Sequence, residues 1–352
     1  MIAFLVSAIR LGMTFLLGST GETITEKAGH LNLGIPGVMC VGAACGCYAE
    51  YMYFTAVGVN IVPVLAVIIP LIAALAGGAL MGLLFSFLTI TLRANQNMTG
   101  LAITTLGVGM SEYIISEATT IFTKGSKYFT APLIPFANSM GSFGKLVLGY
   151  GIFVYLALAI ALITTYVLNK TRVGLHLRAV GENPGTADAA GINVSKYRYI
   201  ATCIGCGIAG LGGLSFIMDY LKGNWEYCVD AIGWLAIALV IFTVWKPNLA
   251  IIGSIVFGAL YVAISYIPGV SFAGKELFKM LPYVVTILVL IVTSMRKKKD
   301  SQPPQSLGLY DFREERLEKY LPDGMNTVRL FVYLLTRRNK QQSRHLPAVP
   351  RR

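Results

Sequence analysis

The sequence predicts an all-α, polytopic integral membrane bundle of about nine or ten transmembrane helices. Three observations carry this. Mean hydropathy is +0.66 and only 13% of the 352 residues are charged, which excludes a water-soluble globule of this length. The apolar residues come in blocks of membrane-spanning length. Basic residues gather in a few of the connecting segments and in the last stretch, as the positive-inside rule requires of a multi-pass chain.

In chain order, Met1 to Ser19 is the first span, with Arg10 inside it. It lacks a basic start and a small-residue cleavage site, so it reads as a span and not as a cleaved signal. Gly21 to Asn32 carries Glu22, Glu26, Lys27 and His30; it cannot cross lipid unaided and is expected to dip into the protein interior. Gly34 to Phe54 is the second span, where Gly42 and Gly46 let another helix approach closely. Ile61 to Leu92 is apolar for 32 residues. A break at Gly77-Gly78 is expected to divide it, giving ten spans and an inside N-terminus; unbroken, it gives nine and an outside N-terminus. Met98 to Ala118 is the next span, and Thr119 to Lys145, with Pro132 and Pro135, reads as an irregular outer loop. Leu146 to Leu168 follows. Tyr199 to Tyr220 has Gly205, Ala209 and Gly213 at four-residue spacing, a close-packing stripe. Ile232 to Trp245, Leu249 to Ile267 and Leu281 to Met295 complete the set, with a tight inner turn at Lys246-Pro-Asn248. The membrane domain is thus 1–295, and 296–352 is a basic cytoplasmic tail. That tail holds 14 Lys/Arg against 6 Asp/Glu, which suits anionic membrane lipid and not nucleic acid. Within it, Val328 to Arg338 is amphipathic enough to lie on the cytoplasmic leaflet.

One polar interruption stands out: Gly174 to Tyr199, within a cytoplasmic loop 170–198. Lys170, Arg172, Arg178, Lys196 and Arg198 crowd it against only Glu182 and Asp188. It contains helix punctuation: Asn183 to cap, Pro184 at the first helical position and Gly191 to stop. A short helix held outside the bilayer between two spans suits docking onto a soluble partner; an ordinary cytoplasmic loop is the other reading.

Catalytic patterns are missing. There is no G-x-x-x-x-G-K-[ST] phosphate loop and no H-E-x-x-H. His30, His176 and His345 are far apart, as are Asp188, Asp219 and Asp230. No catalytic residue and no metal ligand set is assigned. Cys40, Cys45, Cys47, Cys203 and Cys206 fall in Gly/Ala-rich apolar segments as small packing residues. Cys228 falls in an outer loop without a partner. What remains is a set of polar residues at span edges. Asn32, Asn95 and Gln96 offer neutral amides suited to an uncharged solute. Glu112, within a span, is expected to face a cavity or the bundle interior. For each of these taken singly, helix–helix hydrogen bonding or solvation at the interface is the favoured reading.

Two blocks carry a family resemblance. RAVGENPGTADAAGI resembles the cytoplasmic coupling segment of ABC-importer permeases of the simple-sugar and nucleoside type. GETITEKAGHLNLGIPGVMCVGA, Gly21 to Ala43, resembles their N-terminal signature. Weaker echoes are LRANQNMTGLAITTLGVGMS and LGLYDFREER, the latter similar to the family's C-terminal ending. The resemblance implies a permease subunit in the cell (inner) membrane that does not hydrolyse ATP. ATP and Mg would be bound by a partner ATPase subunit, a second permease subunit would complete the pore, and an extracytoplasmic binding protein would deliver the solute. It makes Gly181, Glu182, Asn183, Pro184, Ala187, Ala190 and Gly191 the coupling residues. It points to a nucleoside or simple sugar as solute. A branched-chain amino acid permease and a non-transporting scaffold or receptor stay open as alternatives.

Overall fold

The computed structural model describes residues 2–58, 60–115, 122–134, 141–225, 229–267, 269, 274, 277–278, 280–296 and 303–309. They form a helical unit, Met1–Leu309, with no strand among the described residues. Cys228 and the Val328 to Arg338 stretch lie outside them.

α1 (Ile2–Lys27) is one continuous helix. The expected end at Ser19 does not occur; the helix runs on, and Ser19, Thr23 and Thr25 satisfy their hydroxyls on carbonyls of the preceding turn. Glu22 and Glu26 are thereby carried into the protein interior on the helix itself. α2 (Ile35–Val57) follows a short turn. α3 (Pro63–Ser86) runs on through a π-turn, Phe87–Thr91, as a single apolar segment of 29 residues. This corrects the two-span expectation. Gly77 and Gly78 do not break the helix; a methyl at either would lie 2.8 Å from Cys45 Sγ or 2.4 Å from the Cys206 carbonyl oxygen. Their smallness admits α2 and α10.

α4 (Gln96–Ile115) is followed by α5 (Phe122–Thr130), where an irregular loop was expected. Phe122, Gly125, Ser126 and Phe129 repeat at helical spacing and are buried, which folds this segment onto the bundle. Phe129 stacks on Phe153 at 5.2 Å. α6 (Gly141–Val147) leads to α7 (Ile152–Lys170). The polar stretch is mostly helical: α8 (Arg172–Glu182), α9 (Pro184–Ala189), then α10 (Val194–Ser215), which ends in a π-turn, Phe216–Tyr220. α11 (Val229–Phe242), α12 (Pro247–Ala263) and α13 (Leu281–Arg296) complete the bundle.

Among the described residues five helices are long and apolar enough to cross a membrane, α1, α3, α4, α7 and α10, with α3 and α10 counted together with their π-turns; α11, α12 and α13 contain shorter apolar helices, and α2 packs among them. α10 is the centre, packing on α3, α1 and α2, while α1 also meets α12, α11 and α7. Small residues set these crossings. A methyl on Gly21 would lie 2.2 Å from the Gly205 carbonyl oxygen, and one on Gly42 would lie 2.3 Å from Gly210 Cα. At such contacts dispersion between backbones replaces the hydrophobic effect, which is absent between helices in lipid. Arg10 finds its partner here: its guanidinium lies 3.7 Å from Asp219, on the π-turn of α10. A charge inside a span is tolerated when paired in this way.

Candidate functional site

The polar residues of Glu22 to Gly34 meet at one end of the bundle, around the turn joining α1 to α2. Glu22 Oε1 accepts from the Asn32 backbone N–H at 3.2 Å, and the Trp245 indole N–H donates to Glu26 Oε2. His30 Nδ1 lies 3.3 Å from the Thr202 hydroxyl of α10. The Asn32 amide donates to Cys206 Sγ at 3.3 Å and accepts from the Gly34 N–H at 2.9 Å. Gln96 Oε1 accepts from the Leu31 N–H at 2.8 Å, and Thr104 donates to the Leu33 carbonyl at 2.9 Å. Arg198 Nε donates to the Ala28 carbonyl at 3.3 Å. The turn is thus pinned to α1, α4 and α10, and the end of α1 to the Thr243–Lys246 corner. A buried backbone group without a partner costs about 1–3 kcal/mol, and these side chains supply the missing partners.

Sequence reasoning treated Asn32 and Gln96 as residues facing a solute. The structure buries both, with 0% and 4% of their surface exposed, and gives them these protein partners. Asn95 caps α4: its Oδ1 accepts from Asn97 N and Met98 N. Glu112 is not brought together with the other three. It lies sixteen residues beyond Gln96, about 24 Å along α4, and is exposed. Asn97, Thr105 and Gly109 share its exposure. At i, i+8, i+12 and i+15 the four lie on one stripe of the helix. Thr105 and Gly109 were not singled out from sequence, although that spacing would have found them.

The same turn supports an elbow made by α8 and α9. Thr171 caps α8, accepting from Gly174 N at 3.2 Å. Gly181 lies where a methyl would approach the Lys27 carbonyl oxygen to 2.2 Å, so the end of α8 rests directly on the end of α1. Asn183 then accepts from Thr186 N at 3.0 Å and Pro184 takes the first helical position, as its spacing predicted. Ala187 is the buried anchor of α9, packed with Val180 and Val194. Gly191 leaves the helix at φ +84°, in the left-handed region that favours glycine. Glu182, Asn183, Thr186, Ala189 and Ala190 present an exposed, small-residue surface. A methyl on Gly21 or Gly181 thus has no room, but the outer face of α9 is open.

A third component had only a weak sequence signal. The segment 303–309 lies along the elbow. Ser306 N donates to the Gly181 carbonyl at 3.0 Å, its hydroxyl donates to the same oxygen, and Gln305 N approaches Glu182 Oε2 at 3.4 Å. A methyl on Gly29 would stand 2.6 Å from the Ser306 hydroxyl, which places this clasp between the elbow and the α1–α2 turn. The LGLY echo marked the segment but not what it touches.

The chain is similar in sequence to known proteins. A family model described as "branched-chain amino acid transport system / permease component" matches residues 4–290. A nucleoside ABC transporter permease protein of Lactococcus lactis is 32% identical over 288 residues, 77% of this chain and 86% of its own length. A guanosine ABC transporter permease protein of Bacillus subtilis is 31% identical over 283 residues, 78% and 86%. A putative glucose ABC transporter permease protein of Haloferax volcanii is 29% identical over 332 residues, 88% and 97%.

Proposed function

The chain belongs to the branched-chain amino acid transport system permease family, and from that premise we propose that it carries a neutral solute, a nucleoside ahead of a simple sugar, through an ATP-driven importer. It is a multi-pass membrane permease subunit of a kind that is not itself catalytic. Permeases of ABC importers work with ATPase and substrate-binding subunits; here we propose two ATPase domains with Mg and ATP, a second permease and an extracytoplasmic binding protein. The observation that carries the nucleoside reading is the pair of relatives above 30% identity, both named for nucleosides or guanosine.

The positive-inside rule supports a cytoplasmic side for 170–198, 246–248 and 296–352. If α2 and the three shorter apolar helices cross together with the five long ones, nine spans put Ile2 on the outer side. In this orientation the elbow lies at the inner face, and α9 is the surface on which an ATPase subunit docks. Closure of the ATPase dimer on ATP would load α9. Gly181 would pass the load to the end of α1, and the pinned turn would pass it on to α2, α4 and α10. The two-state element is the bundle, and the elbow supplies the differential contact that biases it.

The solute path follows the exposed stripe of α4. A carboxylate in a span is costly against hydrocarbon, so Glu112 faces water or a partner chain. Thr105 lies at mid-depth on the same stripe, about 14 Å from Gln96. Hydroxyl and amide contacts are moderate and directional, about 0.5–1.5 kcal/mol each, which suits a solute that must also be released. Asn32 and Gln96 act on transport by fixing the turn beneath the path, and Asn95 by fixing the start of α4. The test is uptake into vesicles holding the assembled transporter, with labelled guanosine, glucose and leucine offered in parallel. Guanosine should accumulate on ATP, and Gln96→Leu should slow it without changing basal ATPase activity. Uptake of leucine but not of guanosine or glucose would refute the assignment.

A further inference from the structure

A cavity of about 540 Å³ opens between α1, α7, α8 and α10, beside the elbow and outside the proposed solute path. Branched aliphatic side chains dominate its lining, among them Ile24, Ile163, Val167, Leu177, Ile204 and Ile208. Thr164 and Tyr197 are its only other polar members besides Lys196, and the Tyr197 hydroxyl is bonded to His176 Nδ1 at 2.8 Å. Val173 and Ile204 are 57% and 52% exposed. Surface this apolar takes hydrocarbon or a protein helix and excludes water.

Charge decides between those two. Lys196 is the one charged residue in the lining, and it is exposed. Lys170 and Arg172, also exposed, lie in the turn between two lining residues, Leu168 and Val173. No acidic residue lines the cavity. One cation in the lining and two in the α7–α8 turn, flanked in sequence by lining residues, match a molecule with a phosphate at one end and a hydrocarbon chain behind it. We infer that the groove holds one acyl chain of an anionic phospholipid, whose phosphate rests on Lys196 and the Lys170–Arg172 turn. The volume is in the range of small-molecule sites. Because the lipid would bridge α7, α8 and α10, it would brace the elbow from its membrane side. Its assignment to the cytoplasmic leaflet rests on the orientation proposed above; its binding does not.

The test is native mass spectrometry of the full chain in mild detergent, titrated with phosphatidylglycerol or with phosphatidylcholine of the same chains. One phosphatidylglycerol should bind in preference to phosphatidylcholine. Each lysine near a lipid phosphate is worth about a factor of five, so Lys196→Gln should weaken phosphatidylglycerol about fivefold. The triple change with Lys170→Gln and Arg172→Gln should weaken it on the order of a hundredfold. All three side chains are exposed, so the fold should survive, as an unchanged melting temperature would verify. Ile204→Trp should fill the groove and abolish retention. Equal retention of the two lipids, or phosphatidylglycerol held as well by Ile204→Trp, would overturn the proposal. So would efficient crosslinking of a cysteine at Ile204 to a second permease or an ATPase subunit in membranes, since that places protein in the groove. A transporter that moves a different solute would leave these outcomes unaffected.

Discussion

Asn183→Leu isolates the elbow from the rest of the bundle. In the folded protein Asn183 Oδ1 accepts from Thr186 N at 3.0 Å, and that is the only side-chain cap of a six-residue helix. Helices this short are marginal without capping or packing, and Ala187 is the one buried residue of α9. Loss of an N-cap costs about 1 kcal/mol, which lowers the population of formed α9 relative to unformed about fivefold. Gly191→Val attacks the other end. At φ +84° a non-glycine residue costs about 1–2 kcal/mol, a shift of roughly tenfold. Neither residue packs in the main core, so both variants should insert and accumulate normally. The assay compares ATP-driven uptake with ATPase activity in vesicles containing equal amounts of each permease with its ATPase. We predict uptake reduced by up to about fivefold in Asn183→Leu and up to about tenfold in Gly191→Val, with basal ATP hydrolysis retained. Unaltered uptake in both variants at equal membrane level would remove α9 from the coupling mechanism.

Two further outcomes test the surroundings of the elbow. In a cysteine-free variant, a cysteine at Lys124 should react with an impermeant thiol reagent added from outside and one at Ser195 should not; the reverse pattern would overturn the orientation. Lys124 is used because the neighbouring Ser126, although in the same segment, is only 3% exposed and bonds to the Thr123 carbonyl. Ser306→Pro removes both bonds to the Gly181 carbonyl, and one such bond is worth about 0.5–1.5 kcal/mol net. Limited proteolysis should then cut faster between 183 and 193 and uptake should fall; an unchanged digest and unchanged uptake would show the clasp to be passive.

The helices and the elbow caps were legible in the sequence because each is a local matter. Asn183, Pro184 and Gly191 act within a few residues of themselves, and apolar length identifies a span without reference to its neighbours. The failures all concern contacts between distant segments. Gly77-Gly78 has the composition of a helix break, but its role is set by α2 and α10 lying against it. Glu22 and Glu26 looked like the end of a span because the acceptors they supply, to Asn32 N and the Trp245 indole, are ten and 219 residues away. The bonds of Asn32 and Gln96 to the α1–α2 turn were likewise not legible from their residue type. Phe122 and Phe129 carried a helical period that the prolines further along the segment obscured.

The clasp at Ser306 has a consequence for the order in which the protein is made. Translation reaches residue 306 only after α13 has been synthesised, whereas the Gly181 carbonyl it covers was made more than 120 residues earlier, the separation of that bond being 125. Through the synthesis of α10 to α13 the elbow therefore stands without its cover. The nascent subunit acquires the cover of its elbow only as residues 303–309 arrive, so a chain ending before them does not present the same face to an ATPase.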